Sequence, residues 1–272
     1  MKPFIKWVGG KRSILQRLVE EMPSSYTHYY EPFLGGGALF FKINPERAYL
    51  SDVNPHLITT YKAVRDSPVD LGVLLQAHES KHNKDYYYSC RDRLNTEEMG
   101  IETAALFIYL NRTCFNGLWR VNKNGHFNVP VGSYKSPTIH DPQTLTAASQ
   151  ILQKTSIKQQ SFEKITVHKG AFYYLDPPYH KTFTSYSSNS FGEKQQEELA
   201  KFCKKIDRGG GFFMLSNSNT PLIQKLYKEF NTNTVQARRS VSCQSESRGK
   251  EKEVLVKNYS NRAEEKIQCS IN

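Results

Sequence analysis

The sequence of 272 residues predicts an α/β fold, a doubly wound sheet interrupted by a mostly helical insert that carries a β-hairpin. Three observations predict it. Strand-like and helix-like runs alternate at both ends of the chain, the pattern of a mostly parallel sheet covered on both faces. The middle, 55–160, abandons that alternation for successive helix-like runs. Two motifs, Glu31-Pro32-Phe33-Leu34-Gly35-Gly36-Gly37 and Asp176-Pro177-Pro178-Tyr179, each follow a strand-like run, and open α/β sheets bind ligands at the carboxyl ends of their strands.

In chain order, periodicity gives a helix over 12–22, strands over 29–33 and 49–52, and a helix over 54–67. The insert reads as helices over 68–83, 84–95, 101–111 and 141–154, the last after a turn-rich stretch. Alternation then resumes with a strand over 171–175, a helix over 194–207, a strand over 211–216, a helix over 221–230 and a strand over 253–258. This divides the chain into a discontinuous domain of 1–54 and 161–260, a second domain of 55–160, and a tail over 261–272. No internal repeat or low-complexity segment is visible.

Asp176-Pro177-Pro178-Tyr179 follows the apolar run Ala171-Phe172-Tyr173-Tyr174-Leu175. Two prolines fix φ and remove backbone donors, so the Asp176 carboxylate and the Pro177 carbonyl can point outward together and accept hydrogen bonds from an NH2 group. Tyr179 adds an aromatic face of the kind used to stack an extruded base. The bland alternative is a turn that leaves a strand, with Asp favoured for local reasons.

The upstream glycines, between Tyr29-Tyr30 and the helix-like Ala38-Leu39-Phe40-Phe41, let backbone approach a ligand closely. Asp52 ends the next strand, where an acid can accept from ribose hydroxyls; it can equally serve as the N-cap of the helix behind it. There is no full GxGxxG, so the signal rests on the combination. At the N-terminus, Trp7 beside Gly9-Gly10-Lys11 can pack an aromatic against a cofactor and bring a cation to its carboxylate. A core Trp and a solvated Lys are the alternative. This segment is too polar and too short for a signal peptide.

Within the insert, Asn124-Gly125 between alternating runs signals a hairpin. No acidic residue occurs from Arg112 to Lys135, while Arg112, Arg120, Lys123 and Lys135 are basic. Asn, Arg and Lys interleaved with Phe and Trp suit a hairpin that meets DNA, where Arg reads guanine, Asn reads base edges and an aromatic wedges between steps. The alternative is a solvated basic hairpin whose Trp119 and Phe127 form a small core.

Composition agrees. The formal net charge is +11, expected of a partner for polyanions but equally of a membrane-surface protein. No apolar stretch is long enough to span a bilayer. The five cysteines lack CxxC spacing and the eight histidines lack ligand spacing, which argues against a zinc site or a disulfide framework and fits a reducing cytosol. His180, next to Tyr179, is the one histidine placed to matter.

The chain resembles a Dam-type DNA adenine-N6 methyltransferase, of the class in which the cofactor motif precedes the recognition domain and the catalytic motif follows it. The matching residues run in order: Lys6-Trp7 with Lys11, the 31–37 motif, Asp52, Asn116-Gly117-Leu118 with Arg120 and Asn122, Phe127-Asn128-Val129-Pro130, Tyr134 and Asp176-Pro177-Pro178-Tyr179. Phe183-Thr184 with Tyr186, Leu215-Ser216-Asn217, and Arg238-Arg239 with Ser247-Arg248-Gly249-Lys250 also match, so the similarity covers about 2–259. It is nearest to GATC-modifying enzymes.

The resemblance implies a Rossmann-like doubly wound methyltransferase sheet, with 55–160 as an inserted DNA-recognition domain. It implies S-adenosylmethionine as methyl donor, no metal, and catalysis by Asp176, Pro177, Pro178 and Tyr179. Trp7, Lys11, Phe33, Gly35, Asp52 and Asp176 would border the cofactor. Arg120 and Lys6 would each read a guanine, Leu118, Pro130 and Tyr134 would line the same surface, and Phe115-Asn116 would enter the stack as the adenine leaves. Arg239 and Arg248, in a second basic cluster, would clamp phosphates. The implied partner is double-stranded DNA in the cytoplasm, met by a monomer, with a restriction endonuclease as companion. A methyltransferase of RNA or of a protein amide, and a non-catalytic DNA-binding regulator, are the rival readings.

Overall fold

A parallel sheet needs crossover connections, and here helices supply them on both faces. The computed structural model describes residues 1–11, 13–134, 136–180, 191–237 and 251–260. Among these the strands are β1 (Tyr29–Glu31), β2 (Ala48–Asp52), β3 (Thr155–Gln159), β4 (Phe172–Leu175), β5 (Phe212–Ser218), β6 (Asn231–Ala237) and β7 (Glu251–Lys257). They form one sheet in the order β3-β2-β1-β4-β5-β7-β6. The first five are parallel, and β7 runs antiparallel between β5 and β6. The fold is thus the mixed, mostly parallel α/β sheet expected of a Rossmann-like methyltransferase.

The helices in chain order are α1 (Leu15–Glu20), α2 (Ala38–Ile43), α3 (Pro55–Asp66), α4 (Pro68–Ser80), α5 (Lys84–Leu94), α6 (Ile101–Thr113), α7 (Pro142–Leu152), α8 (Glu193–Arg208) and α9 (Pro221–Leu226). Caps fix several starts: the side chains of Asn54, Asn83, Asp141 and Thr220 accept backbone N–H groups of α3, α5, α7 and α9. None of the described helices is long and apolar enough to cross a membrane.

Two strands carry no clear sequence signal. β3 lies within 55–160, the segment read as a helical insert, yet it is the parallel edge strand beside β2. Only Thr155 and Ile157 are buried along it, so a short edge strand with one covered face reads as polar. The other, β6, has the sequence Asn-Thr-Asn-Thr-Val-Gln-Ala and closes the opposite edge.

One apolar core joins the sheet to the helices of the insert. It runs from Phe4, Tyr29, Phe40 and Phe172 through Leu57 and Tyr61 of α3 to Leu106, Phe107 and Leu110 of α6. Helix α6 is buried nearly all round, from Thr103 to Asn111, as a helix without a solvent face must be. Each such Leu or Phe contributes roughly 1.5–3 kcal/mol. On the other face, Leu199, Phe202, Cys203 and Ile206 of α8 pack over Tyr173, Phe213 and Leu215.

From β1 the chain moves outward to β2 and β3, then returns to β4 on the other side of β1. Such a reversal opens a crevice at the carboxyl ends of β1 and β4. Asp176 follows β4 there, and Glu31 ends β1.

Candidate active site

The glycine turn after β1 is closed by contacts from three sides. Gly35 takes φ +46, and a Cβ there would stand 2.6 Å from Cδ1 of Trp7. Only glycine fits beneath that indole. The Gly35 N–H donates to Asp52 Oδ2 at 3.1 Å, and Tyr61 OH donates to the Gly35 carbonyl at 3.1 Å. Asp52 Oδ1 accepts from Asn54 N at 3.0 Å. Since Asn54 caps α3, Asp52 is not the cap; it ties the end of β2 to the glycine turn. Burial raises the Asp52 pKa, and backbone N–H groups of Asn54, Gly35 and Val53 oppose the rise.

Glu31 is buried beneath this turn and accepts from Tyr29 OH at 2.7 Å. Burial pushes its carboxyl up to about 8, with Asp176 adding to the rise, while Tyr29 and the Phe40 N–H oppose it. Burial thus favours the neutral form of the acid that opens the 31–37 motif.

Asp176 carries the next carboxyl. Its Oδ1 lies 2.8 Å from Lys11 Nζ, with the two side chains 21% and 7% exposed. Lys11 Nζ also donates to the Gly9 carbonyl at 2.7 Å and stands 4.8 Å from the Tyr179 ring centre. Burial raises the Asp176 pKa, Lys11 pulls it back, and the charge of Glu253 adds a smaller rise. The cation that the sequence offers to a cofactor carboxylate pairs here with Asp176 of the 176–179 motif. Pro177 is buried and Pro178 exposed. Tyr179 is buried, its OH donating to Glu253 Oε2 at 2.8 Å, so the ring is less open than a stacking platform read from sequence. His180 is a strut: its Nδ1 pairs with Thr220 Oγ1 at 2.8 Å.

A second group of predicted residues gathers around the N-terminal segment. Lys6 N–H donates to Asn111 Oδ1 at 2.8 Å, and Asn111 Nδ2 donates back to the Lys6 carbonyl at 2.8 Å. Lys6 Nζ donates to Tyr134 OH at 3.1 Å and sits 4.4 Å from the ring centre. Beside them Phe115 is 48% exposed, and Asn116 and Gly117 take φ 54 and 62. Pro130, exposed, accepts the Phe115 N–H at 2.9 Å through its carbonyl. Leu118, expected on this surface, is buried at 6% instead; Cys114 Sγ donates to its carbonyl, and the side chain joins the core.

The hairpin forms, with isolated bridges rather than a ladder. Its turn is Asn122 to Gly125, closed by Gly125 N–H on the Asn122 carbonyl at 3.0 Å and Asn122 N–H on the His126 carbonyl at 2.8 Å. Gly125 at φ +80 is the left-handed residue after a tight turn, so Asn124-Gly125 is not the central pair of a two-residue loop. Arg120 lies across the hairpin, Nε donating to Asn128 Oδ1 at 2.7 Å and Nη2 to the Asn128 carbonyl at 3.1 Å. Trp119 packs on Phe107 and Phe127 in a small core. Arg239 and Arg248, together with Lys135, Phe183, Tyr186, Arg238 and Lys250, lie outside the described residues.

Comparison with known proteins decides the family. The model of D12 class N6 adenine-specific DNA methyltransferases matches residues 7–241. The chain belongs to that family. It is 42% identical to the type II methyltransferase M1.LlaDCHI of Lactococcus lactis subsp. cremoris, over 96% of each chain. It is 39% identical to the type II methyltransferase M.MjaIII of Methanocaldococcus jannaschii, over 95% of this chain and 99% of the relative. It is 32% identical to a DNA adenine methylase of Haemophilus influenzae, over 94% and 93%.

Membership in the D12 class makes the chain an adenine-N6 DNA methyltransferase and implies S-adenosylmethionine as donor. The residues present fit such a group. Asp52 retains lone pairs for hydroxyl donors, and Phe33 with Phe162 and Phe191 supplies aromatic walls, ring centres 5.5 and 5.7 Å from Phe33. Phe162 was not singled out from sequence, nor were Glu253, Gln196 and Asn111. Phe162 follows a strand that the sequence hid; Asn111 and Gln196 are polar residues within apolar helical stripes, and Glu253 lies in the charged first half of β7, signals that periodicity registers only as noise.

Proposed function

We propose that this D12 class enzyme methylates N6 of the adenine in GATC, in duplex DNA, after swinging that adenine out of the helix. The observation that supports it best is the Lys6–Tyr134 contact beside exposed Phe115. It joins a DNA-facing cation to the same short segment whose Lys11 meets Asp176. A recognition surface and an amine-accepting carboxylate are thereby linked through one stretch of backbone.

In this reading the adenine amine displaces Lys11 and donates to the Asp176 carboxylate and the Pro177 carbonyl. N6 is a poor nucleophile because its lone pair is delocalised into the ring. Acceptors fixed on both N–H bonds favour a pyramidal nitrogen and stabilise the positive charge that develops. S-adenosylmethionine supplies an activated methyl group, so no enzyme nucleophile is required. The remaining contribution is placement in line and in contact. The methylated nitrogen is strongly acidic and sheds its proton readily, so Asp176 need not be a strong base.

Arg120 would read a guanine with the N–H donors that Asn128 does not use; a guanidinium has five. Phe115-Asn116 would fill the gap left by the adenine. The type II names of two relatives support a restriction endonuclease as companion. One active site per chain makes a monomer sufficient.

The test is transfer of labelled methyl to matched duplexes containing GATC, GTTC or GATT, and to RNA of the same sequence. Incorporation confined to GATC and mapped to adenine N6 is expected. Labelling of duplexes without GATC would overturn the specificity while leaving the chemistry.

A further inference from the structure

The buried stripe of α8 contains one polar residue. Gln196 has no exposure, and neither has Asn217 near the end of β5. Their amides meet: Asn217 Nδ2 donates to Gln196 Oε1 at 2.9 Å. Two of their further bonds are directed at the turn after β4. Gln196 Nε2 donates to the Pro178 carbonyl at 2.9 Å, and Asn217 Oδ1 accepts the His180 N–H at 3.2 Å and the Ser218 N–H at 2.8 Å. Two buried amides are unfavourable against apolar side chains of like size unless every group is bonded, and here they are bonded to the loop.

The loop needs it. The proline rings fix φ at 177 and 178, which leaves ψ as the soft torsion of each residue. Gln196 holds the peptide plane after Pro178, and Asn217 holds the plane after Tyr179. On the other side Leu175 is paired with Leu215 in the sheet. The Pro177 carbonyl lies between these fixed points, so its direction is set by planes it does not belong to.

We propose that Gln196 and Asn217 are a positioning pair for methyl transfer. They hold the Pro177 carbonyl and the Asp176 carboxylate in the relative orientation that accepts the two N–H bonds of the target amine. This rests on the roles given above to Asp176 and Pro177.

Gln196→Met keeps length and shape and removes both hydrogen bonds. On a GATC duplex it is expected to lower kcat by about 10- to 100-fold while KM for DNA and for S-adenosylmethionine changes by less than about twofold. Assays run well below the melting temperature of the variant, so loss of folded enzyme is excluded. Gln196→Glu supplies a second readout that packing alone does not move. A protonated carboxyl can donate to the Pro178 carbonyl and a carboxylate cannot, so its turnover relative to wild type should rise as pH falls. Wild-type kcat in Gln196→Met, a loss confined to KM, or a pH-independent ratio for Gln196→Glu overturns the proposal. Failure of the wild type itself to methylate adenine would instead remove the reading beneath it.

Discussion

Lys11 Nζ lies 2.8 Å from Asp176 Oδ1, where the amine of a target base would donate. An ammonium in that place favours the charged carboxylate and opposes burial, which favours the neutral form. Removing the cation removes the opposing influence and leaves burial and Glu253, both of which raise the pKa. Lys11→Met is therefore expected to move the acidic limb of the kcat/KM profile, which reports the free enzyme, to higher pH, because a protonated Asp176 loses acceptor capacity. A pH–rate series on one duplex checks it; an unmoved limb would show that Lys11 does not govern Asp176.

Gly35→Ala places a methyl 2.6 Å from the Trp7 indole on backbone at φ +46. The left-handed conformation alone costs about 1–2 kcal/mol for a residue with a Cβ, and the clash adds to it. Thermal melting should show the destabilisation, and calorimetric titration should show S-adenosylmethionine binding weakened. Normal affinity in a folded variant would place the cofactor elsewhere.

Asn111 makes reciprocal hydrogen bonds with the Lys6 backbone and a longer one, 3.4 Å, to the Gly117 carbonyl. Asn111→Leu leaves those groups unpartnered in a buried setting, a loss of about 1–3 kcal/mol for each group left unsatisfied. Denaturant unfolding should record it. The Lys6–Tyr134 contact should loosen with it, raising KM for DNA more than it lowers kcat.

Arg120→Ala should relax specificity at one guanine by about 1–3 kcal/mol. Competition between GATC and a duplex altered at that base measures the ratio directly. A uniform loss on all duplexes would assign Arg120 to phosphate instead.

His78 is buried, with Nδ1 2.8 Å from Tyr86 OH. Burial, with smaller contributions from Arg93 and Lys81, lowers its pKa from 6.5 to about 4. The folded chain thus holds His78 neutral where the unfolded chain protonates it. Its contribution to stability is complete above pH 6.5 and declines as pH falls toward 4, on the order of 3 kcal/mol across that window. Urea unfolding at stepped pH should show the decline, and His78→Gln should flatten it.

Much of the site was legible because its residues are consecutive. Asp176-Pro177-Pro178-Tyr179 and the 31–37 motif stand at strand ends, and the strand ends themselves follow from apolar runs. The hairpin was legible in outline; its turn differs because Gly125 takes the left-handed place one residue later than an Asn-Gly central pair requires. β3 and β6 were hidden because an edge strand buries too little to leave a pattern.

By itself the sequence determined the alternation of elements, the residue types at the ends of β1, β2 and β4, and the family. Local periodicity records which side of each element is buried, and that suffices for these. Only the tertiary structure decided who meets whom: Lys11 with Asp176, Asp52 with Gly35, Tyr179 with Glu253, Gln196 with Pro178, and Leu118 with the core. Those partners lie on segments separated along the chain, many of them loops, and a distance between such segments is fixed by packing, which no local window of sequence contains.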